Sequence, residues 1–469
     1  MAPRRHSHSV AGLLACARAL GFMTTLALLP PATAQTSSDM QEVLKRLDRL
    51  EAQNRALISK VDALQAELAA ARGAPAPPPP SPDSPTPEER LAVQEARSAE
   101  QAQSKVEASE KFPIRVTGMA LFNAYRNSEY SGGSAFPTAA AAGGASGGAT
   151  FRQTVLGLDY FGPTTLWNGK ISGSLRMDFY GGAGRPLGQT FRLRTAAISI
   201  DWKDRGFRAA LDKPILAVRE PESLAQVGVS PLTGAGNLWL WIPQARFEQV
   251  FHLTEASGIR AQVAAVQTNE AAAVYGGPNE PLYEAPGYVS QVDPARPGVE
   301  GRLEFFSGAD RRIEIAPGFH HSVAHAGGGS APANIYSLDW FARPAPAFEF
   351  TGTVFTGTNT AALGGLQQGV VVLAPGVARA VHSAGGWGQL TWRPLSRIWF
   401  NFFSGEEDPR NSDLPGGAIG RNLAYGGNVF CRIAPNVLAS FQVHQYRTSY
   451  LPASTFLSNH YDLGLAYRF

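Results

Sequence analysis

The sequence predicts an all-β transmembrane antiparallel barrel of about 16 strands, preceded by a periplasmic α-helical coiled coil. Three observations carry this reading. Charged residues make up only 17% of the 469, where soluble chains usually carry about 25%, so part of the surface faces something other than water. Beyond the N-terminal 34 residues no stretch reaches the roughly 20 apolar residues a membrane-spanning helix needs. Segments with period-two alternation recur from Phe112 to the last residue, and alternating strands closed into a barrel leave no unpaired backbone in lipid.

Residues 1–34 read as a secretory signal: Arg4 and Arg5 precede an apolar stretch from Val10 to Leu29, and Ala32-Thr33-Ala34 offers small residues for cleavage. Too few apolar residues precede Cys16 for a lipoprotein signal. Cleavage after Ala34 removes Cys16 and leaves Cys431 alone, so the mature chain is expected to hold no disulfide.

Residues 35–72 are expected to form a coiled coil. Met40, Leu47, Asn54, Val61 and Leu68 fall at heptad position a, and Val43, Leu50, Leu57, Leu64 and Ala71 at d. Such a seam keeps one face towards a partner helix, and a polar a residue such as Asn54 fixes register and strand number. Leu47, Leu50, Asn54, Leu57, Val61, Leu64 and Leu68 are therefore the expected oligomerisation residues of a homo-oligomer. Residues 73–87, with Pro77-Pro78-Pro79-Pro80, read as an extended spacer. Thr86-Pro87-Glu88-Glu89 then opens a short helical or disordered segment over 88–111.

The barrel is expected over 112–469. Its most specific signature is the C-terminal strand, where Tyr461, Leu463, Leu465, Tyr467 and Phe469 share one face and His460, Asp462, Gly464, Ala466 and Arg468 the other. Aromatics at both ends of an apolar face suit the two interfaces of a membrane. The same pattern sets Ile171, Leu175, Met177 and Phe179 against Ser174, Arg176 and Asp178, and Ile398, Phe400 and Phe402 against Trp399 and Asn401. Sixteen strands are expected, at about 113–125, 150–162, 167–180, 189–202, 205–213, 243–254, 258–268, 298–307, 310–324, 332–342, 346–356, 379–393, 396–403, 419–432, 436–449 and 458–469. Connections alternate between long ones (126–149, 214–242, 269–297, 357–378) and short ones such as Pro163-Thr164, Lys203-Asp204 and Pro394-Leu395. Transmembrane barrels have short periplasmic turns and longer external loops, whereas a soluble sandwich has no reason to keep such a rule.

A barrel of this size is wide enough for an aqueous channel. The connection from Pro214 to Ile242 carries Leu216, Val218, Leu224, Leu238, Trp239, Leu240 and Trp241. It is expected to fold into the barrel mouth, where its apolar side chains leave water and the pore narrows. Arg219, Glu220 and Glu222 are its charged candidates for the constriction. On the strands, Arg176, Arg208, Arg246, Arg302 and Arg312 are expected to point at the water column, with Glu248, Glu304 and Glu314 as partners. From residue 112 on, only Lys170, Lys203 and Lys213 among the basic residues are lysine. Arginines lining a pore favour anions.

This layout resembles bacterial outer-membrane porins, in particular the DcaP-like porins. Pro221-Glu222-Ser223-Leu224 looks like that family's Pro-Glu-Thr/Ser-Leu segment, and Trp241-Ile242-Pro243-Gln244-Ala245-Arg246-Phe247 is similar to the Pro-Gln-x-Arg-Tyr/Phe opening its sixth strand. The resemblance implies an outer-membrane trimer that passes small organic anions such as dicarboxylates through an arginine-lined constriction. This chain departs from the pattern at Asp212-Lys213-Pro214-Ile215, where the family would have Gly-Gln-x-Trp.

The expected partners are thus outer-membrane lipid, further copies of the chain and small anionic solutes. A net charge of +3 argues against nucleic acid. Catalytic residues, metal and cofactor are not expected: His-Glu-x-x-His is missing from the sequence, and neighbours His320 and His321 on a strand face opposite sides. The competing readings are a structural tether whose coiled coil reaches the cell wall, and a barrel hydrolase.

Overall fold

The computed structural model describes residues 113–181, 189–268, 273–275, 297–308 and 311–469. The expected signal, coiled coil, spacer and 88–111 segment lie outside the described residues, as do Leu47, Leu50, Asn54, Leu57, Val61, Leu64 and Leu68.

The strands are β1 (Ile114–Asn127), β2 (Ser146–Thr150), β3 (Val155–Leu166), β4 (Gly169–Gly181), β5 (Thr190–Asp201), β6 (Arg205–Asp212), β7 (Ile242–His252), β8 (Ser257–Val266), β9 (Ala273–Tyr275) and β10 (Gly298–Ser307). They continue with β11 (Ile313–Ala326), β12 (Gly329–Ala345), β13 (Phe348–Thr358), β14 (Val370–Ala374), β15 (Val377–Ala380), β16 (His382–Trp392), β17 (Ile398–Pro409), β18 (Ile419–Ala434), β19 (Val437–Tyr450) and β20 (Ser454–Arg468). β1 pairs with β3 through Ile114↔Tyr160 to Met119↔Val155 and with β2 through Asn123↔Thr150 to Asn127↔Ser146, so β2 and β3 fill one position in the wall. β9, β14 and β15 form a separate three-stranded sheet. The remaining strands make a closed antiparallel barrel of sixteen, sealed where β1 meets β20 from Met119↔Arg468 to Asn127↔His460. Phe469 finishes that seam, exchanging backbone hydrogen bonds with Gly118 at 3.0 and 3.1 Å.

Alternation sorts the two faces. On β20, Tyr461, Leu463, Leu465 and Tyr467 are 40–53% exposed, while His460, Asp462 and Ala466 are at most 1% exposed. β19 repeats this with exposed Phe441 and Val443 against buried Gln442, His444 and Tyr446, and β11 with exposed Ile313, Ile315 and Phe319 against buried Glu314, Ala316 and His320. A continuous apolar exterior on a closed barrel suits hydrocarbon rather than water.

Several boundaries differ from expectation: the strand expected over 396–403 runs on to Pro409, and the one expected over 332–342 spans Gly329–Ala345. The first short turn is not at Pro163-Thr164: β3 runs on to Leu166 through a register shift between Phe161 and Thr165, and the chain reverses at Trp167-Asn168. Both of these have positive φ, 49° and 63°, as the tight hairpin turn matching strand twist requires. The odd-even rule of loop lengths also bends, since the side that carries the long connections has tight ones at 327–328 and 451–453. Gly327 and Gly328, at φ 57° and 82°, adopt the left-handed backbone that closes β11 onto β12 in two residues.

Candidate functional site in the barrel lumen

The 213–241 connection enters the barrel, and none of its residues is exposed. Sequence dictates this burial: Leu216 and Leu238 pack with Ala264, Val266, Ile335 and Phe355. Leu232 and Ala235 pack with Trp387, Phe403 and Tyr446, and Leu224 with Leu121, Trp399, Phe430 and Leu438. Each leucine so buried contributes about 1.5–3 kcal/mol relative to water.

Polar groups on the inner wall then fix the path of the loop. Ile215 N–H donates to Glu300 of β10 at 2.8 Å, and Ser337 of β12 donates to the Leu216 carbonyl at 3.1 Å. Glu222 N–H donates to Gln389 of β16 (2.8 Å), and Ser223 Oγ to Gln442 of β19 (2.7 Å). Asn123 of β1 donates to the Leu224 carbonyl (2.8 Å), and Gln153 Oε1 receives the N–H groups of Val227 and Gly228 (both 2.7 Å). The return arm crosses back with Asn422 of β18 donating to the Gly234 carbonyl (2.7 Å). There the wall is bare: a Cβ on Gly236 would stand 2.1 Å from the Gly386 oxygen, and one on Gly405 2.2 Å from the Ala235 oxygen. Glycine on both surfaces lets backbone meet backbone.

The loop covers the inward faces of β16–β20 and β1, where Asn401, Gln442 and Asn123 are wholly buried. The inward faces of β4–β8 stay wet. Side-chain exposure there is 34% for Arg176 and Arg208, 28% for Arg192, 24% for Arg260, 16% for Arg246 and 14% for Arg194.

Carboxylates on this arc are outnumbered. Arg192 and Arg194 share Asp178 at 2.7 and 3.6 Å, while Arg208 and Arg246 share Asp212 at 3.3 and 3.9 Å. Buried Arg152 has no ion pair among the described residues and lies over the Tyr180 ring at 4.4 Å, with Arg192 5.4 Å from the same ring. Arg192 and Arg194 also lie 5.2 and 4.9 Å from Trp241 of the loop. Arg176 is balanced by Asp159, and Glu248 accepts from Gln262 at 2.9 Å.

The loop's own charges are mostly tied down. Arg219 pairs with Asp339 at 2.7 Å and with Glu314. Glu222 accepts from Trp399 Nε1 at 3.0 Å and Asn401 Nδ2 at 3.3 Å. Glu220 meets Lys213 Nζ at 2.7 Å and accepts from Ser230. Burial pushes the Glu220 carboxyl up, but the Lys213 ammonium, hydrogen bonds from Lys213 and Ser230, and Arg194 outweigh it and hold the group below its ordinary value.

Of the residues singled out by sequence, Arg176, Arg208 and Arg246 lie together on the wet arc. Arg302 points inward as expected but does not reach the water column: it is 4% exposed, held by Asp339 and Glu304 at 2.8 and 2.6 Å. Arg312 is not on a strand face; it lies just before β11, exposed at the short-turn rim.

Sequence reasoning missed Arg192 and Arg194. Counting in twos back from exposed Ile198 assigns both to lipid, but a bulge pairs Arg176 with Thr195 and Met177 with Leu193, which flips the face. It also missed Arg343, Arg393 and Arg432, and gave Arg468 its inward face without a site role; the four share inward parity at the short-turn end of β12, β16, β18 and β20. Each is the last inward position before a turn or terminus, a signal available once strand ends are known.

The sequence matches no family model, and no curated protein sequence is significantly similar to it. Solved structures are similar in fold. The outer membrane channel DcaP of Acinetobacter baumannii matches with a TM-score of 0.62 at 12% identity, over 76% of this chain and 97% of that one. An anion-selective porin from Comamonas acidovorans matches with a TM-score of 0.46 at 8% identity, over 76% and 99%. The chain thus adopts the barrel fold of the DcaP channel, as the sequence resemblance implied.

Proposed function

We propose that the chain is a bacterial outer-membrane porin: a water-filled channel for passive diffusion of small solutes, preferring anions such as small organic dicarboxylates. The observation that carries this is the wet arc, where Arg192 and Arg194 share Asp178, and Arg208 and Arg246 share Asp212, as their salt-bridge partners among the described residues. Low-dielectric walls focus such a field and lower the barrier for an anion. The likeness in fold to an outer-membrane channel agrees with this reading.

In the same reading the short-turn end faces the periplasm and residues 35–72 draw three copies together through the Leu47–Leu68 seam. The tether reading accounts for the coiled coil but not for charged, solvated side chains on one arc of the lumen, which a mere anchor does not need. Liposome swelling tests the function: vesicles carrying the protein should swell faster in an isotonic small dicarboxylate than in a cationic solute of equal size. Equal rates, or no swelling in either, would refute it.

A further inference from the structure

We propose that the short-turn mouth of the barrel holds a second anion-binding pocket, built by Arg393, Arg432 and Arg468 around Trp399, which takes the carboxylate or phosphate group of a solute leaving the channel. It deepens the porin reading and rests on it for the direction of travel.

The pocket is a cavity of about 450 Å³ lined by those four residues, Glu222, Pro346 and the 394–396 turn. That volume lies within the roughly 300–1,000 Å³ of small-molecule sites. It is separate from the β4–β8 arc, for the inserted loop supplies its Glu222, the β12–β13 turn Pro346, and the β16–β20 side of the wall the rest.

Its charge is unbalanced. Arg393 shares Glu349 with Arg343, at 3.0 and 2.9 Å. Arg432 and Arg468 have no ion pair among the described residues. The Arg432 guanidinium lies 5.8 Å from the Trp399 ring, which is itself stacked on Phe430 at 4.9 Å and 6°. The guanidinium lies beside the ring, and its fork of N–H groups suits a carboxylate or phosphate. Glu222 is the acid in the pocket, and its Oε2 already accepts from Trp399 and Asn401. An arriving anion therefore meets free donors on the arginines and an acid drawn back towards the loop.

The test uses inorganic phosphate and the full chain in detergent, reading the protein-induced broadening of the phosphorus resonance. The pair Arg432→Gln with Arg468→Gln should cut the broadening at least threefold, and Arg432→Lys with Arg468→Lys should restore part of it. The charge-matched pair Arg126→Gln with Arg447→Gln, on exposed outward positions, should leave it as in the native chain. Heat-modifiable gel migration checks that each variant keeps its barrel. Native broadening in the Arg432/Arg468 glutamine pair, or an equal loss in the outward pair, would overturn the proposal. The measurement needs no current, so it stands or falls apart from the porin reading itself.

Discussion

Trp399 Nε1 donates a hydrogen bond to Glu222 Oε2 at 3.0 Å, fastening the inserted loop to β17 close to the short-turn end of the barrel. Hydrogen bonds to charged groups contribute about 1.5–3 kcal/mol, and Asn401 adds a second donor to the same oxygen. Glu222→Ala should therefore keep the barrel folded but lower its stability by about 1–3 kcal/mol and loosen the loop. Single-channel records should show more frequent conductance fluctuations than those of the native chain; quiet records at native conductance would mean the loop is held elsewhere.

The bulge between β4 and β5 makes a sharp labelling prediction. In a Cys431→Ser background, a cysteine replacing Arg194 should react with a charged, water-soluble thiol reagent, whereas one replacing exposed Leu193 should be protected by lipid. The opposite pattern would mean that the register shift in this hairpin is wrong.

Glu220 sets the acid response. Its carboxyl lies below the ordinary value of 4.5, so it stays ionised, and the Lys213 contact stays intact, from neutral pH down through that value. Because the folded-state value is depressed, the contact is lost only as pH falls through it. Ion selectivity should hold between about pH 7 and 5 and move towards anions in stronger acid, when Lys213 is freed. Glu220→Gln should already show the acid selectivity at neutral pH.

Phe469 closes the seam with Gly118 and leaves its ring on the outer surface. Removing it deletes both backbone hydrogen bonds and one interfacial aromatic. The fraction of protein that migrates as a heat-modifiable barrel should fall severalfold, and an unchanged fraction would show the seam to be closed without it.

Deleting residues 40–71 should leave the barrel foldable while lowering the temperature at which oligomers dissociate in detergent. An unchanged dissociation temperature would give the heptads another role.

Much of this was legible in the chain. Strand faces such as that of Tyr461, Leu463 and Leu465 could be read because lipid on one side and polar wall on the other impose a strict period of two. Burial of the 213–241 loop was legible because Leu216, Leu224 and Leu238 have nowhere apolar to go in water. Alternation fails wherever the backbone gains a residue, as between Leu193 and Thr195, and there the sequence hides two lumen arginines. Arg302 illustrates another limit: parity gives its direction, but its burial depends on Glu304 of its own strand and on Asp339 arriving from β12.

In the proposed function, solvated arginines on β4–β8 make the lumen favour anions. Zero-current potential across a planar bilayer holding the purified protein in a salt gradient tests it most directly. The native channel should reverse towards the chloride potential, and Arg208→Gln with Arg246→Gln should move the reversal clearly towards potassium. A native channel that reverses at the potassium potential, or a bilayer that never conducts, would contradict the account.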